Sequence, residues 1–379
     1  MESCTREFLI DPNALCFRSG TAPFAARVFD IPTIFISDPE RALLALIRYN
    51  KELSGRAGNR EVAAALFGNS VLYQDGQEHR RLRAMLRPLF VHAATPEALQ
   101  SVTGITGEFI QQAAHVNGIS SLEFFRSLMV GVIAAHYLDI HIELSVARDL
   151  SIAINHLGKG LYASSFSPAR RSRFQYANRA RAKINKFLRS NLKVNTKHGL
   201  LSLSLDTEDR LDQAVTLLFA GVDTVSATLT WALNDLLNEV GTQRLNILGA
   251  KASDAFTRAL IQYPPVYFIP RGALVEVDLA GTVVPHGWNV NIMINALHRN
   301  FWNSGNRRSY MPFGRGPKQC PGQAFTMVAG PLILNTLLHS SHLSSVGGDP
   351  TKIGYLPGQH PSSSARLYIR PRKYATILP

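Results

Sequence analysis

Apolar residues recur at three- and four-residue spacing over most of the chain, and this helical period dominates the pattern. It predicts a helix over 39–50, where Asp38-Pro39 supplies a cap and a first-turn proline. A second is predicted over 76–90, where Leu82, Leu86 and Phe90 share a face. Further amphipathic helices are expected near 96–115, 121–138, 145–161 and 168–192. The longest candidate runs from Asp206 to Asn238; its middle is almost wholly apolar, so it should be buried on most sides. A shorter helix near 251–262 ends at Pro264-Pro265, and one over 321–338 carries Pro331, which should kink it.

Strand-like alternation is confined to short pieces. These are 26–37, 273–295, read as hairpins around Gly281 and Gly287, and ARLYIRP at 365–371. The stretches 164–172 and 344–352 read as loops. The expected fold class is mostly α with a minor antiparallel β portion. No linker divides the chain, so one domain over 1–379 is expected, with a β-rich lobe from about 20–37 and 266–297 and a helical lobe from the remainder.

Composition narrows the class. Apolar residues make up 46% and charged residues 18%, which excludes general disorder and supplies a large core. Three cysteines, Cys4, Cys16 and Cys320, cannot all pair and match no zinc spacing, so a reducing, cytoplasmic setting is expected. No stretch reads as a leader or membrane anchor. The net charge is +13, with basic runs at 80–87, 169–186 and 306–308. Such runs are solvated helix faces, a docking face for an acidic protein, or a nucleic-acid surface. Aromatic interleaving is sparse and no helix-turn-helix, zinc or RNP pattern occurs, so no nucleic-acid partner is expected.

One short stretch carries chemistry. Phe313 to Gly322 reads FGRGPKQCPG. Its glycines leave backbone N–H groups free to face sulfur and let a large flat partner approach. Arg315, Lys318 and the N-terminus of the following helix favour a thiolate at Cys320. That thiolate would be a nucleophile or a metal ligand; the alternative is an inert cysteine in a turn.

Phe313, Gly316, Cys320 and Gly322 resemble the F-x-x-G-x-x-x-C-x-G haem-binding loop of the cytochromes P-450, and the order of segments along the chain agrees with that family. The resemblance implies a triangular helical prism, with haem b between the Asp206–Asn238 helix and the helix after Cys320. Cys320 would be the axial ligand, and Lys318 stands where the family usually has Arg or His. AGVDT (220–224) resembles the family's A-G-x-D/E-T segment. Gly221 would admit a bulky group, and Asp223 and Thr224 would manage protons. His79 and Arg83, four apart on one helical face, and Arg271, after the Y-P-P turn, would join Lys318 around the haem propionates.

The implied activity is insertion of one oxygen atom of O2 into a lipophilic small molecule in specialised-metabolite biosynthesis. Tyr73, His156, Phe219 and Tyr267 are candidate pocket residues. No flavin or nicotinamide fingerprint occurs, so electrons would come from an acidic ferredoxin or flavodoxin. A monomer is expected.

One family feature is missing. The family's Glu-x-x-Arg ion pair, counted back from Tyr263, falls on Arg258 and Ile261, and the segment from His298 to Phe313 is short. Support for the cysteine loop would then come from elsewhere, with Arg307 or Arg308 as candidates. Peroxide-dependent or rearranging haem–thiolate chemistry, and a non-catalytic haem-binding role, are the alternatives.

Overall fold

The computed structural model describes residues 1–16, 22–163, 168–191, 199–203, 205–240, 249–347, 349–363 and 365–372. The helices in chain order are α1 (Thr5–Ile10), α2 (Pro12–Cys16), α3 (Pro39–Leu43), α4 (Gly55–Phe67), α5 (Gly76–Ala93), α6 (Pro96–Ala113), α7 (Ser121–Leu138), α8 (Leu144–Lys159), α9 (Pro168–Asn191), α10 (Thr207–Val240), α11 (Gly249–Gln262), α12 (Ile294–Ser304) and α13 (Gln323–Ser340). The starts are set by local chemistry. Asp38, Ser54, Thr95 and Ser120 each accept a first-turn backbone N–H, at 3.0, 2.8, 3.3 and 3.3 Å. α3 continues into a π-helical turn over Leu44–Arg48.

The strands are β1 (Phe24–Val28), β2 (Ile31–Ile36), β3 (Leu53–Ser54), β4 (Ile119–Ser120), β5 (Phe268–Ala273), β6 (Val277–Asp278), β7 (Val283–Val284), β8 (Asn289–Met293), β9 (Ser341–Val346), β10 (Asp349–Gly354), β11 (His360–Ser363) and β12 (Arg366–Pro371). One sheet has the order β1-β2-β8-β5-β3; β4-β12-β9, β10-β11 and β6-β7 form smaller ones. Pairing is antiparallel except between β2 and β8, which run parallel. The expected hairpin at Gly281 forms. At Gly287 no hairpin closes, because β8 takes β2 and β5 as neighbours. The stretch 344–352, read as a loop, contains the end of β9 and the start of β10, and 168–172 begins α9. Residues 164–167 lie outside the described part.

The main core lies between α10, α7, α8, α11 and α13. α10 is long and apolar enough to cross a membrane by composition, although no such segment was expected; in the fold it is the buried central helix. Trp231 on α10 stacks on Tyr263, just after α11, at 4.1 Å between rings. Gly330 on α13 faces Phe256 on α11 so closely that a Cβ there would lie 2.3 Å from the ring. α13 runs on through Pro331. The central helix and the helix following Cys320 are therefore packed against each other and against α11.

Candidate active site

The loop before α13 is folded by its own backbone. Met311 accepts the Gly314 N–H at 3.0 Å, and Phe313 accepts the Cys320 N–H at 2.9 Å. Gly316 has φ +75, and a Cβ there would sit 2.2 Å from the Leu46 carbonyl in the π-helical turn. Only glycine satisfies both demands. Phe313 packs on the main core. Gly322 precedes α13 and accepts the Thr326 N–H at 2.9 Å; its N–H is hydrogen-bonded to Cys320.

Cys320 has a large accessible surface, which faces an open depression of about 640 Å³ shared with Arg83. Burial among surrounding protein raises its thiol pKa, against the opposing pull of the Gly322 N–H and the Arg83 cation. A cation bound at the exposed sulfur would pull the other way and favour the thiolate.

Four basic groups gather beside this loop. His79 and Arg83 come from one face of α5, Arg271 from β5 and Lys318 from the loop, and they lie within electrostatic range of one another. Burial, with Lys318 and Arg83 beside it, pushes His79 down to about 4. Burial pushes Arg271 down to about 10, opposed by Asp75. Arg83 is lowered by burial as well. Arg271, 6% exposed, donates from Nη1 to the Pro270 carbonyl at 2.8 Å and has no ion-pair contact among the described residues. Arg83 likewise has none.

Lys318 differs. Its Nζ is 3.1 Å from Asp75 Oδ1 and also donates to the Gln74 carbonyl. Asp75 in turn accepts from Ser54 Oγ, Gly55 N and Arg56 N. Lys318 therefore stitches the loop to the start of α4, and much of its charge is already met.

On α10, Ala220 is exposed and Phe219, Gly221 and Thr224 are half-buried, in a helix whose neighbouring turns are buried. One turn of the core helix is therefore uncovered. Thr224 Oγ1 donates to the Ala220 carbonyl at 2.7 Å. Thr216, Ser226, Thr228 and Thr230 make the same bond one turn back, so exposure, not the bond, sets Thr224 apart. Gly221 does not open towards a bulky ligand as expected. A Cβ there would lie 2.7 Å from Ile133 Cδ1, so this glycine admits α7, and Ala220 occupies the uncovered side.

Asp223 points away from solvent, 9% exposed, and accepts from Arg126 Nε of α7 at 2.7 Å. Asp223 Oδ2 and Arg126 Nη2 are buried and, among the described residues, have no hydrogen-bond partners. The sequence reading missed Arg126, although a lone cation in the apolar run LEFFRSLMV was a visible signal. Asp223, Thr224 and Arg271 do not line the 640 Å³ depression.

Tyr73 is buried beside Phe67 at 5.2 Å, and Phe67 lies 4.8 Å from Phe219, next to the uncovered turn. Tyr267 packs instead among Phe8, Phe268 and Tyr355, and His156 is exposed near Tyr176. Those two are not pocket walls here. Arg307 and Arg308 are exposed and make no ion pair among the described residues, so they do not support the cysteine loop.

These features suit a large, flat, doubly anionic cofactor. Arg83 and Arg271 make no ion pair among the described residues, one turn of the core helix is bare, and a soft sulfur ligand stands in a glycine-bounded loop.

Comparison with known proteins agrees. The cytochrome P450 family model matches residues 161–244 and 262–354, which include Gly221, Asp223, Thr224, Arg271 and the cysteine loop but not His79 or Arg83. A cyclooctat-9-en-7-ol 5-monooxygenase from Streptomyces melanosporofaciens is 24% identical over 82% of this chain and 82% of its own length. An abscisic acid 8'-hydroxylase from Solanum lycopersicum is 24% identical over 82% of this chain and 77% of its own. Among solved structures, a retinoic acid-bound cyanobacterial cytochrome P450 superposes with a TM-score of 0.76 at 20% identity, covering 97% of this chain and 96% of that one. A six-coordinated cytochrome P450 from Thermus thermophilus gives 0.73 at 20% identity, covering 98% and 100%. The chain belongs to the cytochrome P450 superfamily, and it is an oxidoreductase of the haem–thiolate monooxygenase type.

Proposed function

We propose that this chain is a single-domain, monomeric, cytoplasmic enzyme that binds haem b and inserts one oxygen atom of O2 into a C–H or C=C bond of a lipophilic metabolite. The second oxygen leaves as water, with two electrons and two protons consumed. The observation that carries the reading is Arg271, buried and in no ion pair among the described residues, beside Arg83 and the cysteine loop. In this reading Cys320 is the iron ligand, Arg271 and Arg83 neutralise the haem propionates, and His79, an uncharged imidazole, would hydrogen-bond to one of them. Lys318 contributes more by holding the loop to Asp75 than as a free charge. Phe313, Gly316 and Gly322 shape the loop, and Gly221 sets how closely α10 approaches α7.

Haem, when bound, supplies the iron redox chemistry that activates O2. The chain supplies the proton handling. Asp223 Oδ2, buried and without a hydrogen-bond partner among the described residues, is the atom that takes up and releases a proton, and Arg126 holds the carboxylate in place. Thr224 Oγ1 lies on the uncovered turn, with its own hydrogen committed to Ala220 and its lone pairs available.

Phe219, half-buried beside that turn and backed by the buried rings of Phe67 and Tyr73, favours an apolar substrate. The relatives named for cyclooctat-9-en-7-ol and abscisic acid support a specialised-metabolite substrate class. The basic residues of α5 and the +13 charge suit an acidic ferredoxin or flavodoxin, whose binding should weaken with salt. The deciding experiment is the reduced, CO-bound difference spectrum of the purified protein. A thiolate-type band is expected. A histidine-type band, or no haem uptake on reconstitution, overturns the reading.

A further inference from the structure

Between α12 and Cys320 one buried side chain ties the loop to the helical core. His298 on α12 is 1% exposed. Its Nε2 accepts the Met311 N–H at 3.2 Å, and its Nδ1 faces the Ile261 carbonyl, near the C-terminal end of α11, at 3.2 Å. The two backbone partners fix the tautomer, because an amide can only donate and a carbonyl can only accept. Met311 itself is 1% exposed in the core beneath the loop, and its carbonyl starts the turn that reaches Phe313 and then Cys320. On the other side α11 is anchored by Tyr263 stacked on Trp231 of α10 and by Phe256 against Gly330 of α13. A continuous path thus runs from the two core helices through one imidazole to the backbone that carries the cysteine.

The opposite-charge pair implied by the family resemblance is replaced here by Arg258 and Ile261, and Ile261 contributes only its backbone oxygen. We infer that His298 is the positioning residue for the Cys320 loop, bridging α11 to Met311 as a neutral imidazole in place of an ion pair. This rests on Cys320 being the iron ligand. Burial, partly offset by the α11 carbonyls, holds the imidazole pKa down at about 4, so it stays neutral at working pH.

The two amide substitutions separate the two bonds. His298→Gln places an acceptor where Nε2 stands and keeps the Met311 bond. His298→Asn places a donor where Nδ1 stands and keeps only the Ile261 bond. Two readouts are compared in proteins matched for thermal midpoint. One is the ratio of thiolate-type to thiol-type absorbance in the reduced CO spectrum. The other is the rate at which Cys320 in haem-free protein reacts with a thiol reagent, located by peptide mapping. His298→Gln is expected to stay near wild type in both. His298→Asn should lower the thiolate ratio about ten-fold, the factor a lost hydrogen bond of ordinary strength gives, and should raise Cys320 reactivity. Equal behaviour of the two variants, whether both intact or both impaired, overturns the proposal. A wild-type protein with no thiolate band defeats the functional reading itself, whereas an intact band in His298→Asn defeats only this inference.

Discussion

The Arg126–Asp223 pair permits a test worked from its geometry. Nε and Oδ1 are 2.7 Å apart, and the side chains are only 16% and 10% exposed. Removing one partner leaves a buried charge uncompensated, which costs about 3–5 kcal/mol. One feature sets where Arg126→Met falls in that range: Lys159 lies close enough to Asp223 to share its charge, so the lower figure is expected. Asp223 Oδ2 and Arg126 Nη2 have no hydrogen-bond partners among the described residues, so the pair is imperfectly repaid for its desolvation. Replacing both residues by apolar ones, Arg126→Met with Asp223→Leu, should therefore cost only about 1 kcal/mol or less. The double-mutant cycle then gives a coupling of at least about 2 kcal/mol. Urea unfolding followed by far-UV circular dichroism measures each corner of the cycle. Because the pair is buried, the coupling should survive about 1 M salt, where the Debye length is about 3 Å. The double variant should regain stability without regaining turnover, since Asp223 Oδ2 is gone. A single variant within about 0.5 kcal/mol of wild type, or a coupling abolished by salt, would show that the pair is solvent-screened and refute the argument.

Other consequences can be measured as directly. Cys320→Ser should fold normally, with a far-UV spectrum like wild type, and lose the thiolate-type CO band. Gly316→Ala puts a Cβ at φ +75 and 2.2 Å from the Leu46 carbonyl, so a loss of about 1–2 kcal/mol for the backbone conformation, and more for the clash, should appear in the thermal midpoint. Thr224→Val should leave the midpoint nearly unchanged and lower kcat about 10²-fold with little effect on KM, because the hydroxyl acts in proton handling and not in binding. His79 and His298 are held down to about 4 by burial, while an unfolded histidine titrates near 6.5. Between those values the unfolded chain binds more protons, so haem-free protein should be fully stable above about pH 6.5 and lose stability as pH falls towards 4, with His298→Gln removing part of that slope.

The helical frame was legible because helix formation is local. Apolar spacing and caps such as Asp38 and Thr95 are written within one turn of where they act, and nearly every long helix starts within a few residues of its expected place. The cysteine loop was legible for the same reason: Gly316, Cys320 and Gly322 sit within seven positions of one another. β9 and β10 were not, because SHLSSV and DPTKIG alternate weakly and become strands only by pairing with β12 and β11. The parallel contact of β2 with β8 joins segments more than 250 residues apart, a distance no local pattern spans.

At the site the same division holds. Residue types named the chemistry, a sulfur ligand, an acid and alcohol on an apolar helix, and four basic groups, because each type has few uses in such surroundings. Tertiary structure decided their assignments. It gave Lys318 to Asp75, turned Gly221 towards Ile133, paired Asp223 with an arginine 97 positions away, and set His298 between two backbone groups that carry no side-chain signature. Charge balance and close packing depend on which surfaces meet, and the chain settles that only when distant segments are brought together.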